Sequence, residues 1–116
     1  MTYVDGFVTA VPKANKDLYL SHARAIAERF KEWGATRIVE TWDDDVPEGE
    51  HTDFRRAVAA KPDEAIVFSW IEYPDKATRD RISEKMMSPE GMAAMSNMPF
   101  DGRRMIFGGF NMLFAL

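Results

Sequence analysis

EAIVFSWIEY, residues 64–73, has the strongest strand pattern in the chain and decides the fold. β-Branched and aromatic residues dominate this stretch, as is typical of strands. Apolar residues occupy both of its faces: Ile66, Phe68 and Trp70 on one, Val67, Ile71 and Tyr73 on the other. An antiparallel strand with one solvated face alternates apolar with polar side chains instead. The stretch therefore predicts a strand whose sheet is covered on both sides.

Upstream of this strand, the sequence predicts a strand, a helix and a second strand. YVDGFVTAV (3–11) is rich in β-branched and aromatic residues, and Pro12 ends it. Apolar residues then recur at helical spacing over about 15–33, and Gly34 supplies the usual helix stop. ATRIVETW (35–42) is the second strand.

Downstream, the pattern predicts two helices and a last strand. One helix opens near Asp75 and extends to about Met87. Ser88 then caps a short helix with proline in its first turn, where the missing N–H costs nothing. After a turn at residues 98–102, residues 103–116 make the last strand. Its two adjacent glycines predict a bulge or a close approach of another group to the backbone.

The order strand, helix, strand, strand, helix, strand is that of the ferredoxin-like βαββαβ fold. This α+β fold has one four-stranded antiparallel sheet with helices on one face, and we expect a single domain over residues 1–116. Because two helices cover only one face, the most economical cover for the other is a second copy of the sheet. We therefore expect a homodimer. In the alternative, loops and the C-terminus fold over that face, but these connections look short.

Composition excludes several classes of protein. Hydrophobic residues make up 46% of the chain and charged residues 29%, a globular balance. The net charge of −4 disfavours nucleic acid as a partner. There is no cysteine, which excludes disulfides and thiolate sites. No secretory signal or membrane-spanning run is recognisable, so we expect no membrane partner and a cytoplasmic location.

Four motifs carry a resemblance to a known family. They are YVDGFV near the start, DDVPEG–TDFRRAV in the middle, VFSWIEYPDKATRD after it, and MPFDGRRMIFGGF near the end. Together they resemble the YbaA-like bacterial proteins, a family of unknown function, over nearly the whole chain. The resemblance implies a fold of the dimeric α/β-barrel class. It implies no particular reaction, because none is established for the family.

The segment TWDDDVPEGEHTDFRRAV (41–58) concentrates charge in a loop. It does not follow the calcium-loop pattern of the EF-hand, because a glutamate stands where the glycine is needed, so we expect no metal. VPEG (46–49) predicts a tight turn, and arginines 55 and 56 are placed to pair with its aspartates. We interpret the segment as an ordered, charge-paired loop. Asp45 and Arg56 remain candidate catalytic residues, as does His22 on the first helix.

A second group of residues suggests a ligand pocket between sheet and helices. Five methionines crowd into residues 86–98, and methionine suits an adaptable apolar wall, although it more often fills a core. No cofactor-binding motif is present, and we expect no cofactor. The candidate pocket residues are Tyr19, His22, Trp42, Trp70, Met86, Met95 and Phe100.

Three functions stay open at this point. The first is a homodimer that binds an apolar or aromatic small molecule between sheet and helices. The second is a cofactor-independent, monooxygenase-like enzyme of the dimeric α/β-barrel type, an expectation by analogy of fold alone. The third is a structural or interaction module without a ligand. Whether the protein is an enzyme depends on whether polar groups converge in a cavity.

Overall fold

A computed structural model describes all residues, 1–116. Its four strands are β1 (Tyr3–Pro12), β2 (Arg37–Glu40), β3 (Glu64–Tyr73) and β4 (Ile106–Asn111). Its helices are α1 (Lys16–Trp33), α2 (Phe54–Ala57), α3 (Lys76–Met86) and α4 (Pro89–Ala94). Single 3-10 turns lie at Lys13–Asn15 and Gly102–Arg104. The strands form one antiparallel sheet in the order β2-β3-β1-β4, which confirms the ferredoxin-like fold.

Local capping explains where most helices begin and end. The carboxylate of Asp75 accepts a hydrogen bond from the backbone N–H of Thr78 at 2.8 Å and opens α3. The hydroxyl of Ser88 accepts one from Gly91 N–H at 3.2 Å and opens α4, as the sequence predicts. Gly34 ends α1 with a φ of 120°, a conformation that favours glycine.

Three elements differ from the prediction. The second strand pairs only over 37–40, and the last strand only over 106–111, because residues 103–104 turn and 112–116 leave the sheet. The four-residue helix α2 was not predicted, since a stretch that short carries no periodic signal. Asp53 caps it by accepting a hydrogen bond from Arg56 N–H at 2.7 Å.

The strand register divides the sheet into two faces. Val4 of β1 lies opposite Glu72 of β3 and Phe110 of β4. Alternation then places the odd-numbered residues of β1 and β3 towards α1, α3 and α4. We call this side the helix face. The even-numbered residues of β1, β3 and β4 form the opposite side, which we call the open face.

The helix face holds most of the core. One cluster joins Tyr3, Ile71 and Tyr73 of the sheet to Ala35 and Ile82. A second cluster, nearer the start of α1, consists of Val11, Tyr19 and Val67. The core therefore binds the two ends of α1 and the middle of α3 to the sheet, with a space left between.

The open face is covered at one end only. Val58, just after α2, is buried against Ala10 and Ile66, so the loop connection does reach this face, contrary to the expectation that it was too short. Phe54 of α2 also packs edge-on against Phe68, with ring centroids 6.0 Å apart, and beyond this contact the face is bare. Phe68 remains 46% exposed and Phe110 61% exposed. The helices are consequently not all on one face, since α2 lies on the other.

The paired glycines of β4 do not form a bulge. Residues 106–111 pair with β1 in continuous register, so the predicted bulge is wrong. Other groups do approach the backbone closely here. A Cβ at Gly109 would overlap the hydroxyl of Tyr3 and would lie 2.7 Å from the guanidinium of Arg79. Glycine is required here because a side chain would displace groups that pack on the helix face.

A buried ion pair fastens the covered end of the open face. The carboxylate of Glu64, which is 3% exposed, accepts hydrogen bonds from Arg104 at 2.6 and 2.8 Å. Arg104 also donates to the carbonyl of Ala59 at 2.9 Å and to Asp101 at 3.1 Å. Its hydrogen bonds lower the pKa of Glu64 to about 2. The pair thus joins β3, the end of the α2 segment and the approach to β4.

Candidate functional site

A cavity of about 640 Å³ lies between the helix face and helices α1, α3 and α4. Its size falls within the range of small-molecule sites. Most of its lining is hydrophobic, and Phe7, Phe30, Phe100 and Phe107 contribute aromatic walls. Six methionines complete the lining: Met86, Met87, Met92, Met95, Met98 and Met105. Such walls adapt to ligands of different shape, because methionine is flexible and polarizable.

One polar group in the cavity is a phenol–carboxylate pair at its α1 side. The hydroxyl of Tyr19 donates a hydrogen bond of 2.5 Å to Oε1 of Glu40 on β2. Burial, followed by the neighbouring carboxylate, raises the pKa of Tyr19 above its ordinary value. The partial burial of its carboxyl end also raises the pKa of Glu40. Tyr19 therefore stays protonated, and its hydroxyl proton is already used in the hydrogen bond to Glu40.

A second polar cluster joins β1, β3 and α3. The hydroxyl of Tyr73 donates to Asp5 at 2.9 Å. The Nε of Arg79 lies 3.1 and 3.2 Å from the two oxygens of Asp5, and the Arg79 guanidinium also stacks over the ring of Tyr3 at 5.1 Å. Burial raises the pKa of Tyr73, and the hydrogen bonds to Asp5 raise that of Arg79. The cluster is an internally satisfied ion pair.

His22 is the one lining residue with an unsatisfied buried polar atom. It lies on α1 one turn after Tyr19, on the side that faces the cavity. Its Nε2 is enclosed and has no hydrogen-bond partner, and no other buried side-chain nitrogen or oxygen in the chain lacks one. A buried polar atom without a partner costs free energy, so a site of this kind needs an explanation.

The structure brings together five of the seven candidate pocket residues. Tyr19, His22, Met86, Met95 and Phe100 all line the cavity. The aromatic ring of Phe100 also packs against that of Tyr19, with centroids 5.7 Å apart. These residues come from α1, α3 and the segment that precedes β4, which explains why they are far apart in the sequence.

Trp42 and Trp70 do not line the cavity, and their predicted position is corrected. Trp70 occupies an even position of β3 and therefore lies on the open face, where its indole N–H donates to Glu72 at 2.9 Å. Trp42 packs beside the buried cluster that contains Tyr19. The ammonium of Lys16 lies 5.2 Å from the centre of the Trp42 ring.

The acidic loop lies away from the cavity, and Asp45 and Arg56 are both exposed. Arg56 pairs with Asp53 at 3.1 Å and donates to the carbonyls of Gly49 and His51. Asp45 takes no part in these contacts. The predicted ordering of the loop by an arginine is present, but no hydrogen-bonded turn forms at residues 46–49. Of the three candidate catalytic residues, only His22 reaches the cavity.

Sequence reasoning missed Asp5, Glu40, Tyr73 and Arg79. A usable signal exists for Asp5, because alternation along β1 places it on the same face as Tyr3 and Phe7. A carboxylate at such a position needs a partner. Arg79 offers no comparable signal, since an arginine on a helix is usually solvated.

Neither a metal site nor a transmembrane helix is found. No three side chains among the histidines, aspartates and glutamates are grouped so as to bind a metal ion. None of the helices combines the length and the apolar character that crossing a bilayer requires.

Sequence comparison places this chain in a known family. Residues 2–102 match the family described as "Protein of unknown function (DUF1428)". The chain belongs to this family. Over 111 residues it is 58% identical to the uncharacterized protein YbaA of Escherichia coli K12, an alignment that covers 95% of each chain. A YbaA of Shigella flexneri is similar to the same extent. The resemblance carried by the four motifs is thereby confirmed.

Solved structures resemble the fold of this chain at low sequence identity. A dimeric ferredoxin-like protein from an uncultured marine organism matches over the full length of both chains, with a TM-score of 0.65 and 11% identity. A second dimeric ferredoxin-like protein of marine origin gives a TM-score of 0.58 at 10% identity, covering 98% of this chain and 97% of that one. Rv0793 from Mycobacterium tuberculosis gives 0.54 at 10% identity, covering 99% and 98%. These similarities concern the fold alone.

Proposed function

We propose that this protein is a homodimer that binds an apolar or aromatic small molecule in the cavity between the helix face and the helices. The observation that carries the proposal is the cavity of about 640 Å³ itself, whose lining is mostly hydrophobic and includes a small number of polar side chains, among them Tyr19, His22 and Arg79. An apolar wall with a few orienting polar groups is the usual composition of a small-molecule site.

The exposure of apolar side chains in the lining supports a ligand rather than an unfinished core. Met87 and Met92 line the cavity yet are 75% and 59% exposed, and Phe107 is 71% exposed. An apolar opening of this kind is unfavourable in water and gains free energy when a hydrophobic molecule covers it. The cavity is therefore accessible to a ligand and favours one that is largely apolar.

Two further observations support the homodimer. The open face carries Phe68 and Phe110 with 46% and 61% of their surface exposed, and the α2 segment covers only its other end. A second copy would bring an identical apolar face, and a twofold axis makes such a face self-complementary. Two of the structurally similar proteins are themselves described as dimeric.

Ligand binding is tested by titrating the protein with N-phenyl-1-naphthylamine, an uncharged dye that becomes fluorescent in apolar sites. We expect saturable binding to the wild type. Ile26→Glu places a carboxylate in the cavity wall and should raise the dissociation constant roughly tenfold or more, because the charge must be desolvated. Leu20→Glu is the matched control, since Leu20 lies on the same helix with 56% of its surface exposed.

The variants also separate binding from folding. Both are compared with the wild type by thermal unfolding, and the comparison is made at a temperature where all three are folded. Dye binding that Ile26→Glu leaves unchanged would contradict the cavity as the site. The absence of saturable binding to the wild type would favour the interaction module without a ligand.

A cofactor-independent enzyme is the second candidate, and His22 favours it. His22 lies in the cavity wall, and an imidazole in such a wall is the side chain best suited to take a proton from a bound molecule or to give one. The cluster around Asp5 offers no comparable free group, because Asp5 already accepts hydrogen bonds from Tyr73 and Arg79. A ligand that co-purifies with the wild type and is recovered chemically unchanged after prolonged incubation would decide for the binding protein, and a change of mass that His22→Phe abolishes would decide for the enzyme.

A further inference from the structure

The charged side chains of the cavity are unevenly paired. Asp5, Glu40 and Arg79 are the aspartates, glutamates and arginines of the lining, which contains no lysine. The guanidinium of Arg79 lies 3.1–3.2 Å from the carboxylate of Asp5 and 3.1 Å from that of Asp80, so its charge is compensated within the protein. Glu40 takes part in none of the ion pairs of the chain. The cavity therefore contains one carboxylate without a cationic partner.

The strand register places Glu40 on the cavity side of the sheet. It lies opposite Ser69, an odd-numbered residue of β3 on the helix face, and both residues line the cavity. Its Oε1 accepts the hydroxyl proton of Tyr19 at 2.5 Å, and no protein group donates to its Oε2. Glu40 is an exposed residue of the short strand β2, so a small molecule can approach its side chain. One carboxylate oxygen is thus left for a ligand.

The groups beside Glu40 also favour a positive charge. The rings of Tyr19 and Phe100 both line the cavity and pack together with centroids 5.7 Å apart, and the faces of such rings attract cations. The hydroxyl of Ser69 is a hydrogen-bonding neighbour of Tyr19 and has acceptor capacity of its own. An ammonium group offers three N–H donors and needs no donor in return. A carboxylate oxygen with a hydroxyl nearby is complementary to it.

An anionic ligand meets the opposite situation. No free lysine or arginine lines the cavity, and the charge of Glu40 repels a carboxylate or sulfonate. Burial raises the pKa of Glu40, because its carboxylate lies partly out of water without a cation beside it. A ligand ammonium would favour the ionised carboxylate, and their attraction would offset part of the cost of moving both charges out of water.

We propose that the molecule bound in this cavity is a protonated amine with an apolar or aromatic body, and that its ammonium group pairs with the carboxylate of Glu40. This inference rests on the proposed function and specifies its ligand class. The body lies against the methionines and phenylalanines of the lining. The hydroxyl of Tyr19 holds one oxygen of Glu40 and leaves the other for the ligand.

Three probes with the same ring system test this class at pH 7: 2-naphthylmethylammonium, 2-naphthylmethanol and 2-naphthoate. The alcohol has nearly the shape of the ammonium probe without its charge. We expect the ammonium probe to bind about tenfold more tightly than the alcohol, the factor by which a charge-assisted hydrogen bond exceeds a neutral one. The carboxylate probe should bind more weakly than the alcohol, since it loses hydration without finding a cation. Dissociation constants are measured by displacement of N-phenyl-1-naphthylamine.

Variants assign the preference to its residue. Glu40→Gln keeps an oxygen that can accept the hydrogen bond from Tyr19 but removes the charge, so the preference for the ammonium probe should fall to about twofold or less. Its affinity for the alcohol should not change. Glu84→Gln is the matched control, because Glu84 is exposed on α3 outside the lining and its replacement removes the same charge. Thermal unfolding shows that each variant is folded at the temperature used, and the comparison of probes on the wild type needs no variant.

The outcomes separate this inference from the proposed function. If the dye binds but the ammonium probe binds no more tightly than the alcohol, or if the carboxylate probe binds as tightly as the ammonium probe, the ligand class is wrong and the cavity remains a binding site. If Glu40→Gln keeps the preference, or Glu84→Gln loses it equally, the role of Glu40 is wrong. If neither the dye nor any probe binds, the proposed function fails and this inference fails with it.

Discussion

Two phenylalanines three residues apart on β4 illustrate how the faces of this sheet differ. Phe107 lies on the helix face at the edge of the cavity, stacked on Phe7 with centroids 6.4 Å apart. Phe110 lies on the open face above two glycines, Gly6 and Gly108, that pair across β1 and β4. Both side chains are largely exposed, at 71% and 61%.

Their surroundings differ in polarity. The helix face combines apolar walls with Asp5, Glu40, Arg79 and His22, whereas the bare part of the open face is apolar with Glu72 and Trp70 hydrogen-bonded to one another. A surface with convergent polar groups suits a small ligand, and a broad apolar surface suits another protein surface. The similar exposure of Phe107 and Phe110 is thus explained differently: the surroundings of Phe107 suit a small ligand, and those of Phe110 suit a second protein surface.

The largest expected effect separates the two faces directly. Phe110→Asp should weaken the proposed dimer by roughly a hundredfold, because a charge would be buried where the open face meets its copy. Phe107→Asp should leave the dimer intact and weaken dye binding instead. Analytical ultracentrifugation and dye titration of both variants measure the two properties. Equal effects of the two substitutions on dimer formation, or on dye binding, would contradict the distinction between the two faces.

The second prediction concerns the covered end of the open face. Glu64→Gln leaves the guanidinium of Arg104 without its buried carboxylate and should lower the free energy of unfolding by about 2 kcal/mol. Because the ion pair is remote from the cavity, the affinity for the dye should not change. Urea denaturation measures the first quantity, and Glu48→Gln in the exposed loop serves as the control.

The same carboxylate gives a pH dependence of known sign. The pKa of Glu64 is lowered from its ordinary value to about 2, so its contribution to stability is complete above its ordinary pKa and is lost as the pH falls towards 2. The stability difference between wild type and Glu64→Gln should therefore shrink steadily below a pH of about 4.5. A difference that stays constant down to a pH of about 2 would contradict the ion pair.

A smaller effect is expected at His22. Replacing it by phenylalanine removes a buried atom that has no hydrogen-bond partner, so the free energy of unfolding should stay within about 1 kcal/mol of the wild type or rise. This result would sharpen the distinction between groups that stabilise the helix face and groups that serve a ligand. A loss of several kcal/mol in thermal or urea unfolding would assign His22 to the core instead.

The smallest effect is expected in the acidic loop. Asp45→Asn should change the free energy of unfolding and the dye affinity by less than about 0.5 kcal/mol, because Asp45 is exposed and outside the loop's hydrogen bonds. Asp53→Asn should cost more, since Asp53 caps α2 and pairs with Arg56. Equal losses in both variants, measured by thermal unfolding, would contradict this assignment.

Periodicity was sufficient to predict the fold. The pattern in residues 64–73 predicted a sheet covered on both sides, and the spacing along α1 placed Tyr19 on the apolar stripe of the helix with His22 one position off it. The same rule, applied to Trp70, would have placed it on the face opposite Ile71 and Tyr73, away from the helices. Its assignment to the pocket followed from its size and chemistry alone.

The rest depended on contacts that no local pattern encodes. Arg79 meets Asp5 across 74 positions of sequence, and Arg104 meets Glu64 across 40. Such pairs form because the fold buries one charged group beside another, and the sequence around either partner looks like that of a solvated residue. The packing of the α2 segment on the open face is likewise a long-range contact that no local sequence pattern predicts.

Native mass spectrometry of freshly purified protein, with a denatured control, most directly tests the proposal that the open face forms a dimer and the helix face binds a ligand. It reports the assembly formed by the open face and any molecule kept by the helix face in one experiment. We predict a dimer that carries an added, largely apolar small molecule, released on denaturation. A monomer with no retained mass that also fails to take up N-phenyl-1-naphthylamine would contradict the account.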